Sequence, residues 1–278
     1  MINEMKNFDL SELKTIIYEG GALLEDYWLK RSKLKILHKE GQGLVSEADK
    51  EVEKFLISKL SQLVPEAKVC AEESAFAEDF SKEEISVGLC WMIDPLDGTN
   101  NFLSGFDYFS ISVGLCMDGI PILGIVYRPL RGDMFIAQKA KGTLYENKKM
   151  NEDQAIINQI RNRPSQLRDS LLCTGFAGEK GIKFEQEFEI FKRVMMASRG
   201  VRRLGSAALD LCYLAKGFWH GFWEKGLAPW DTAAGSLICK EVGLEVFSLE
   251  TDKFTPFNKS IVVCSPDIKR ELISHLKS

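Results

Sequence analysis

Histidine is scarce in this chain: 278 residues contain only His38, His220 and His275. A histidine-lined metal centre or a Ser-His-Asp triad is therefore not expected. The seven cysteines (Cys70, Cys90, Cys116, Cys173, Cys212, Cys239 and Cys264) form an odd, scattered set with no Cys-x-x-Cys pair. That pattern argues against a disulfide framework and for reduced thiols packed as small apolar side chains. No apolar run approaches the roughly 18–20 residues of a spanning helix, so no membrane association is expected. The opening "MINEMKNFDLSE" lacks the basic start, apolar middle and small-residue cleavage site of a secretory signal, and the expected location is the cytoplasm. Lys and Arg total 36 against 40 Asp and Glu, a net charge of −4. They are dispersed, without the basic stripe that direct nucleic-acid binding needs. Internal repeats and low-complexity segments are absent too.

What is present is a globular composition, 45% hydrophobic and 27% charged, long enough for two modest domains or one large one. Leu10, Leu13, Ile17, Leu24 and Trp28 recur at helical spacing behind an Asp9–Glu12 capping box. A second helix starts at Ser46 as N-cap and carries Val52, Phe55, Leu56, Leu60 and Leu63 on one face. "AKVC" and "LCWMID" read as strands, and "FSISVGLCMDGIPILGIVYRP" as a hairpin about Asp118-Gly119. "GDMFIAQKAKGTLYENKKM" adds another strand pair. Beyond residue 165 or so, short strands alternate with helices of about ten residues. The expected architecture is a layered α/β sandwich. Residues 1–155 form an α+β half with a mostly antiparallel sheet, and residues 156–278 an α/β half with a smaller mixed sheet. The polar stretch 148–165 is the expected boundary.

Acids fall where apolar elements end. Glu72 and Glu73 follow "KVCA", Asp94 and Asp97 follow "WMI", Asp231 follows "APW", and Asp49 opens the second helix. Gathered carboxylates repel unless a cation holds them, and a hard divalent ion with oxygen ligands answers that need. Pro95 fixes a bend that lets Asp94 and Asp97 turn to one side, where the Leu96 carbonyl can join them. Gly98-Thr99 then offers close backbone approach, an amide nest for an anion, and a hydroxyl. This is the grammar of a metal-dependent phosphoester hydrolase. Plainer readings exist for each residue. Asp-x-x-Asp-Gly is also a turn, although Pro95 breaks the spacing of a calcium loop. Asp49 and Asp231 sit where helix dipoles favour acids in any case. "GQGLVS" lacks the third glycine and the preceding strand of a nucleotide loop, and "FWHGFW" reads as sheet core.

"WMIDPLDGTNNF" and "WDTAAGSLICKEVG" resemble the two signature motifs of the inositol monophosphatase family, the lithium-sensitive Mg²⁺-dependent phosphatases. "LVSEADKEVE", "AEES", "DYFSISVGL", "GIVYRP", "TGF", "GSAALDLCYLAKG" and "FWEKG" follow in that family's order. The resemblance implies a layered αβαβα sandwich, a homodimer, and about two or three Mg²⁺ per site. It implies that Glu72, Asp94, Asp97, Asp231 and the Leu96 carbonyl are the metal ligands. Gly98 and Thr99 would bind phosphate, Glu72 and the Thr99–Asp49 pair would orient the attacking water, and Lys39 would belong to a mobile loop. Glu224 would read ring hydroxyls, with Gly205, Ser206, Ala207 and Arg202 or Arg203 as further substrate contacts.

The implied substrate is inositol 1-phosphate. Relatives acting on fructose 1,6-bisphosphate, 3′-phosphoadenosine 5′-phosphate, histidinol phosphate or NADP mark the alternatives. Nucleotide-directed members commonly carry Lys-Glu where this chain has Asn100-Asn101, which tilts the expectation toward a polyol. A different class of role, a binding module of the transcription machinery, stands beside the enzyme reading.

Overall fold

The structure is a computed structural model that describes residues 10–34, 36–39, 43–75, 82–150, 152–155, 164–176, 181–251 and 253–277. The chain begins with α1 (Leu10–Leu29), the hairpin β1 (Ile36–Lys39) and β2 (Gly43–Ser46), and α2 (Glu47–Leu63). It continues through β3 (Lys68–Ala71), α3 (Glu72–Ala75), α4 (Lys82–Ile85), β4 (Leu89–Asp97) and α5 (Thr99–Ser104). Five strands follow: β5 (Ser110–Met117), β6 (Ile120–Arg128), β7 (Asp133–Gln138), β8 (Gly142–Asn147) and β9 (Glu152–Ala155). The second half holds β10 (Leu171–Thr174), α6 (Ile182–Ala197), β11 (Gly200–Arg202), α7 (Ala207–Ala215) and β12 (Gly221–Lys225). It ends with α8 (Pro229–Glu241), β13 (Glu245–Phe247), β14 (Ser260–Cys264) and α9 (Lys269–Lys277).

Strands β3 to β9 form a seven-stranded sheet in chain order, parallel only at β3–β4. The second sheet, β11-β10-β12-β14-β13, is mixed. The side-chain period of two sorts each strand between layers. Trp91 and Ile93 of β4 pack with Leu13, Ile17, Val52 and Leu56 of α1 and α2, whereas Cys90 and Met92 face Trp230 and Ala233 of α8. Val126 and Phe135 share a core with α7, α8 and with Phe222 and Val263 of the second sheet. Leu172, Val262 and Cys264 turn outward onto Ile190 and Val194 of α6 and Leu272 of α9. The layers are therefore helices, sheet, helices, sheet, helices, as the sequence suggests.

Glycine fixes how closely the central layer lies. A Cβ on Gly114 would stand 2.7 Å from Ala233 Cβ, and one on Gly124 2.8 Å from Ala234 Cα. With no side chain at either point, α8 rests its backbone on β5 and β6, which sets the height of Asp231 above the sheet.

Several local expectations hold in detail. Ser46 caps α2 in a reciprocal capping box with Asp49, and Asp118 and Gly119 turn the hairpin with positive φ. Asp9 lies outside the described residues. The discarded "GQGLVS" contains β2, paired antiparallel with β1, a hairpin that sequence reading missed. All seven cysteines are buried free thiols. No described helix is long and apolar enough to cross a membrane.

Candidate active site

Plain alternation along β4 puts Asp94 on the face of Cys90 and Met92, toward α8, but would put Asp97 on the opposite one. A bulge changes this. Asp94 opposes Ser112 and Asp97 opposes Ser110, so three steps on β4 match two on β5. The extra residue at Pro95-Leu96 brings both aspartates to one face. The carboxylates are 2% and 8% exposed. Across this face Ser112 Oγ donates to the Trp230 carbonyl at 3.2 Å, beside Asp231 in the first turn of α8.

Each acid is oriented by protein donors. Leu96 N–H donates to Asp94 Oδ1 at 2.9 Å. Ser206 Oγ and Ala208 N–H donate to Asp97 Oδ2 at 2.6 and 2.8 Å. Ala228 N–H donates to Asp231 Oδ2 at 2.7 Å. Asp49, 1% exposed, accepts Ser46 N–H at 2.8 Å, Ser46 Oγ at 2.6 Å and Thr99 Oγ1 at 3.0 Å. The Thr99 hydroxyl also lies 3.1 Å from the Leu96 carbonyl. Gly98, in the left-handed region at φ 95°, precedes α5. A Cβ there would press on the Tyr108 and Gly205 carbonyls, at 3.0 and 3.3 Å.

Burial and mutual repulsion push these carboxyls up. Asp94 lies well above the ordinary carboxylate range, from burial first and then Glu72, Asp97 and Asp231. Burial lifts Asp97 to about 6 against the Ser206 and Ala208 hydrogen bonds. Asp231 rises to about 7 from burial and then Asp97, and Asp49 is raised by burial against its hydrogen bonds. Among the described residues, no three or more His, Cys, Asp or Glu side chains are arranged as a ready-made cage. The donor set nonetheless fits a hard cation in chemistry: all ligands are oxygen, and three carboxylates and Glu72 raise one another's cost of ionisation.

Toward the second half, Glu224 on β12 also lies well above the carboxylate range. Burial dominates, then Asp210, Asp231 and Asp97, with Arg203 opposing. Thr174-Gly175 lies against it, and a Cβ on Gly175 would fall 2.1 Å from Glu224 Oε1. Gly205 is exposed, with φ +84°, and Ala207 is 8% exposed. The Ser206 hydroxyl is committed to Asp97. Arg202 is exposed and folds back on the Val201 carbonyl at 3.3 Å, whereas Arg203 covers the Phe176 ring at 5.6 Å and faces the acids. Lys39 ends β1, and its side chain lies outside the described residues.

Two acids escaped sequence reading. Asp210, 1% exposed on α7, takes the Tyr108 hydroxyl at 2.8 Å, and burial lifts it to about 8 against that bond. Its signal was a lone charge inside "AALDLCYLA". Glu53 is 5% exposed on α2, four residues beyond Asp49. Asn101 also gains a structural task. Its Nδ2 donates to the Tyr108 and Leu204 carbonyls at 2.7 and 2.8 Å, tying α5 to the turn before α7.

Carboxylates drawn from two sheets around a Gly-Thr turn define the class: a phosphoester hydrolase. The chain belongs to the inositol monophosphatase family, whose profile matches residues 7–278, and it is a phosphoric monoester hydrolase of that family. It is 34% identical over 248 residues to the Nus factor SuhB of Vibrio cholerae, covering 88% of this chain and 86% of that one. It is 32% identical over 256 residues to the inositol-1-monophosphatase of Synechocystis, covering 92% and 84%. The crystal structure of the extragenic suppressor protein suhB of Bartonella henselae matches with a TM-score of 0.82 and 28% identity, over 97% of this chain and 98% of that one.

Proposed function

We propose that the chain is a Mg²⁺-dependent phosphomonoesterase that hydrolyses inositol 1-phosphate to inositol and phosphate. The observation that carries the substrate reading is the pair Glu224 and Asp210 at the leaving-group end. Burial and neighbouring acids raise both carboxyls, Asp210 to about 8, so this end suits uncharged hydroxyls better than a further anionic group. A second phosphate would force them up further, against the opposing charge of Arg203. Asn101 does not read the substrate through its Nδ2, which is spent on backbone carbonyls. The Synechocystis relative's name, inositol-1-monophosphatase, points the same way.

Glu72, Asp94, Asp97, Asp231 and the Leu96 carbonyl would hold Mg²⁺, which would supply Lewis acidity to the ester and to the attacking water. The first-turn amides at Gly98 and Thr99 take phosphate oxygens, because such amides have no intrahelical partner. The Thr99 hydroxyl donates a hydrogen bond to the Asp49 carboxylate, and its lone pairs remain to accept one from the attacking water, so the water's proton can pass through Thr99 Oγ1 to Asp49. Glu72 orients the same water, and Glu224 holds the ring hydroxyls while the ester oxygen departs.

A Mg²⁺-dependent phosphate-release screen tests this with inositol 1-phosphate, fructose 1,6-bisphosphate, 3′-phosphoadenosine 5′-phosphate, histidinol phosphate and NADP. Highest kcat/KM on inositol 1-phosphate, inhibited by lithium, is the expected outcome. Preference for a bisphosphate overturns the substrate reading, and release from none overturns the phosphatase. The Vibrio cholerae relative's name, a Nus factor, favours a second reading as a module of the transcription machinery. A partner retained by inactive Asp94→Asn would support it. A cytoplasmic homodimer is part of the proposal. The surface offered for it is α6, where Ile182, Phe188 and Met196 are 81%, 47% and 83% exposed, and light scattering of the purified chain reads the mass directly.

A further inference from the structure

Glu53 has no part in the chemistry described so far, yet it is almost wholly enclosed. Burying a carboxylate costs several kcal/mol unless it is well hydrogen-bonded, and a leucine would fill the same volume without that cost. Its bonds show what it does instead. Oε2 accepts the Glu73 N–H at 2.6 Å, and Oε1 accepts the Ser74 hydroxyl at 2.9 Å. These are the two residues that follow Glu72. The Glu73 N–H contact is short, as charge-assisted hydrogen bonds are.

α3 is a single turn of four residues, Glu72–Ala75. A turn that short leaves nearly all its amides without intrahelical partners, so its orientation has to be imposed from outside. Glu53 imposes it from α2, which is itself anchored by Val52, Leu56 and Leu60, all fully buried. The spacing matters. Asp49 and Glu53 are four residues apart, hence on one face of the helix. Asp49 holds the Thr99 hydroxyl at 3.0 Å, and Glu53 holds the turn that begins at Glu72. One rigid helix thus spans two arms of the site that approach from different strands, β4 with α5 on one side and β3 with α3 on the other.

We infer that Glu53 is a positioning residue that fixes the Glu72 carboxylate for Mg²⁺ by clamping Glu73 N–H and Ser74 Oγ to α2. The inference rests on the phosphatase reading of the same site. Partners of metal ligands that set ligand orientation are worth about 10–100-fold in metal affinity. Glu53 touches neither substrate nor metal, so its loss acts on Mg²⁺ affinity and leaves KM for the ester at saturating Mg²⁺ in place.

Titration calorimetry with Mg²⁺ alone, on the full chain, tests this with Glu53→Gln, Ser74→Ala and a control, Glu241→Gln. The control removes another carboxylate clamp, one that accepts Ala140 and Gly142 N–H at 2.9 Å each, away from the site. Mg²⁺ affinity should fall about tenfold in Glu53→Gln and about threefold in Ser74→Ala, and stay within twofold of wild type in Glu241→Gln. Ser74→Ala changes no charge and removes one arm of the clamp, so it keeps the inference testable if Glu53→Gln does not fold. Wild-type affinity in both site variants overturns the inference while the phosphatase reading stands. A wild-type chain that neither takes up Mg²⁺ nor releases phosphate overturns that reading, and the inference with it.

Discussion

The phosphate end of the site and its leaving-group end both gather buried acids, but they hold them on opposite terms. At the phosphate end, Asp49, Asp94, Asp97 and Asp231 each accept at least one backbone N–H or hydroxyl proton. Such bonds favour the ionised form. Burial is working against them, and the result is a set of carboxylates poised for a cation to complete. At the leaving-group end, Asp210 has the Tyr108 hydroxyl, yet burial still lifts it to about 8. Glu224 has other acids beside it, with Arg203 opposing. At both, burial is the largest cause of the rise. In the proposed reading one end handles charge and the other reads hydroxyls, although both are lined with the same residue types.

The sharpest way to break that contrast is Asp94→Asn. Activity should fall about a thousandfold, roughly 4 kcal/mol of transition-state stabilisation. The metal-free variant should melt at a higher temperature than wild type, because a carboxylate repelled by Glu72, Asp97 and Asp231 is gone. Phosphate release and a thermal melt in EDTA measure the two effects. Retention of a tenth of the activity would take the chemistry away from this end.

Thr99→Val comes next. The substitution keeps shape and removes the hydroxyl that lies between Asp49 and the Leu96 carbonyl. A loss of about a hundredfold in kcat with KM nearly unchanged is expected, the usual size of a misplaced proton acceptor. A rise in KM alone would make Thr99 a binding residue.

Glu224→Gln probes the other end. kcat/KM for inositol 1-phosphate should fall about tenfold, or 1.4 kcal/mol, with less than a twofold change for p-nitrophenyl phosphate, which offers no ring hydroxyls. Equal losses on both esters would mean that Glu224 serves the phosphate end.

How much of this was legible in the sequence follows from the same contrast. The helices and the acid-ended strands could be read from apolar periodicity, because burial repeats with the strand and helix periods, whereas the two motifs and the five-layer order followed from the resemblance to the family. Asp94 follows from β4's alternation. Asp97 does not: its face depends on a bulge that only pairing with β5 reveals, and Pro95 was its single hint. Asp210 and Glu53 were invisible for a different reason. An acid on a helix is ordinarily solvated, and only tertiary packing shows that these two are enclosed. Arg203 outranks Arg202 near the acids on similar grounds: both are exposed, and only the fold shows that the charge of Arg203 opposes the rise at Asp210 and Glu224. β1 and β2 were missed because four-residue strands flanked by glycine carry too short a pattern.

The gentlest test uses pH, where the two ends should add rather than differ. Carboxyls raised in the folded state, from 3.8 to about 6 at Asp97, about 7 at Asp231 and about 8 at Asp210, bind protons that the unfolded chain releases. Their contribution to stability is full below the unfolded value and is lost as pH rises through the folded ones. In EDTA the melting temperature should therefore drop between about pH 5 and pH 8, by roughly 5 °C. Saturating Mg²⁺ should flatten the part due to Asp97 and Asp231 and reduce the upper step of Asp210 without abolishing it, since Asp97 contributes to that shift but burial is its largest cause. A curve flattened completely would merge the two ends into one electrostatic unit. An EDTA curve that rises with pH would remove the repulsion on which the cation site was argued.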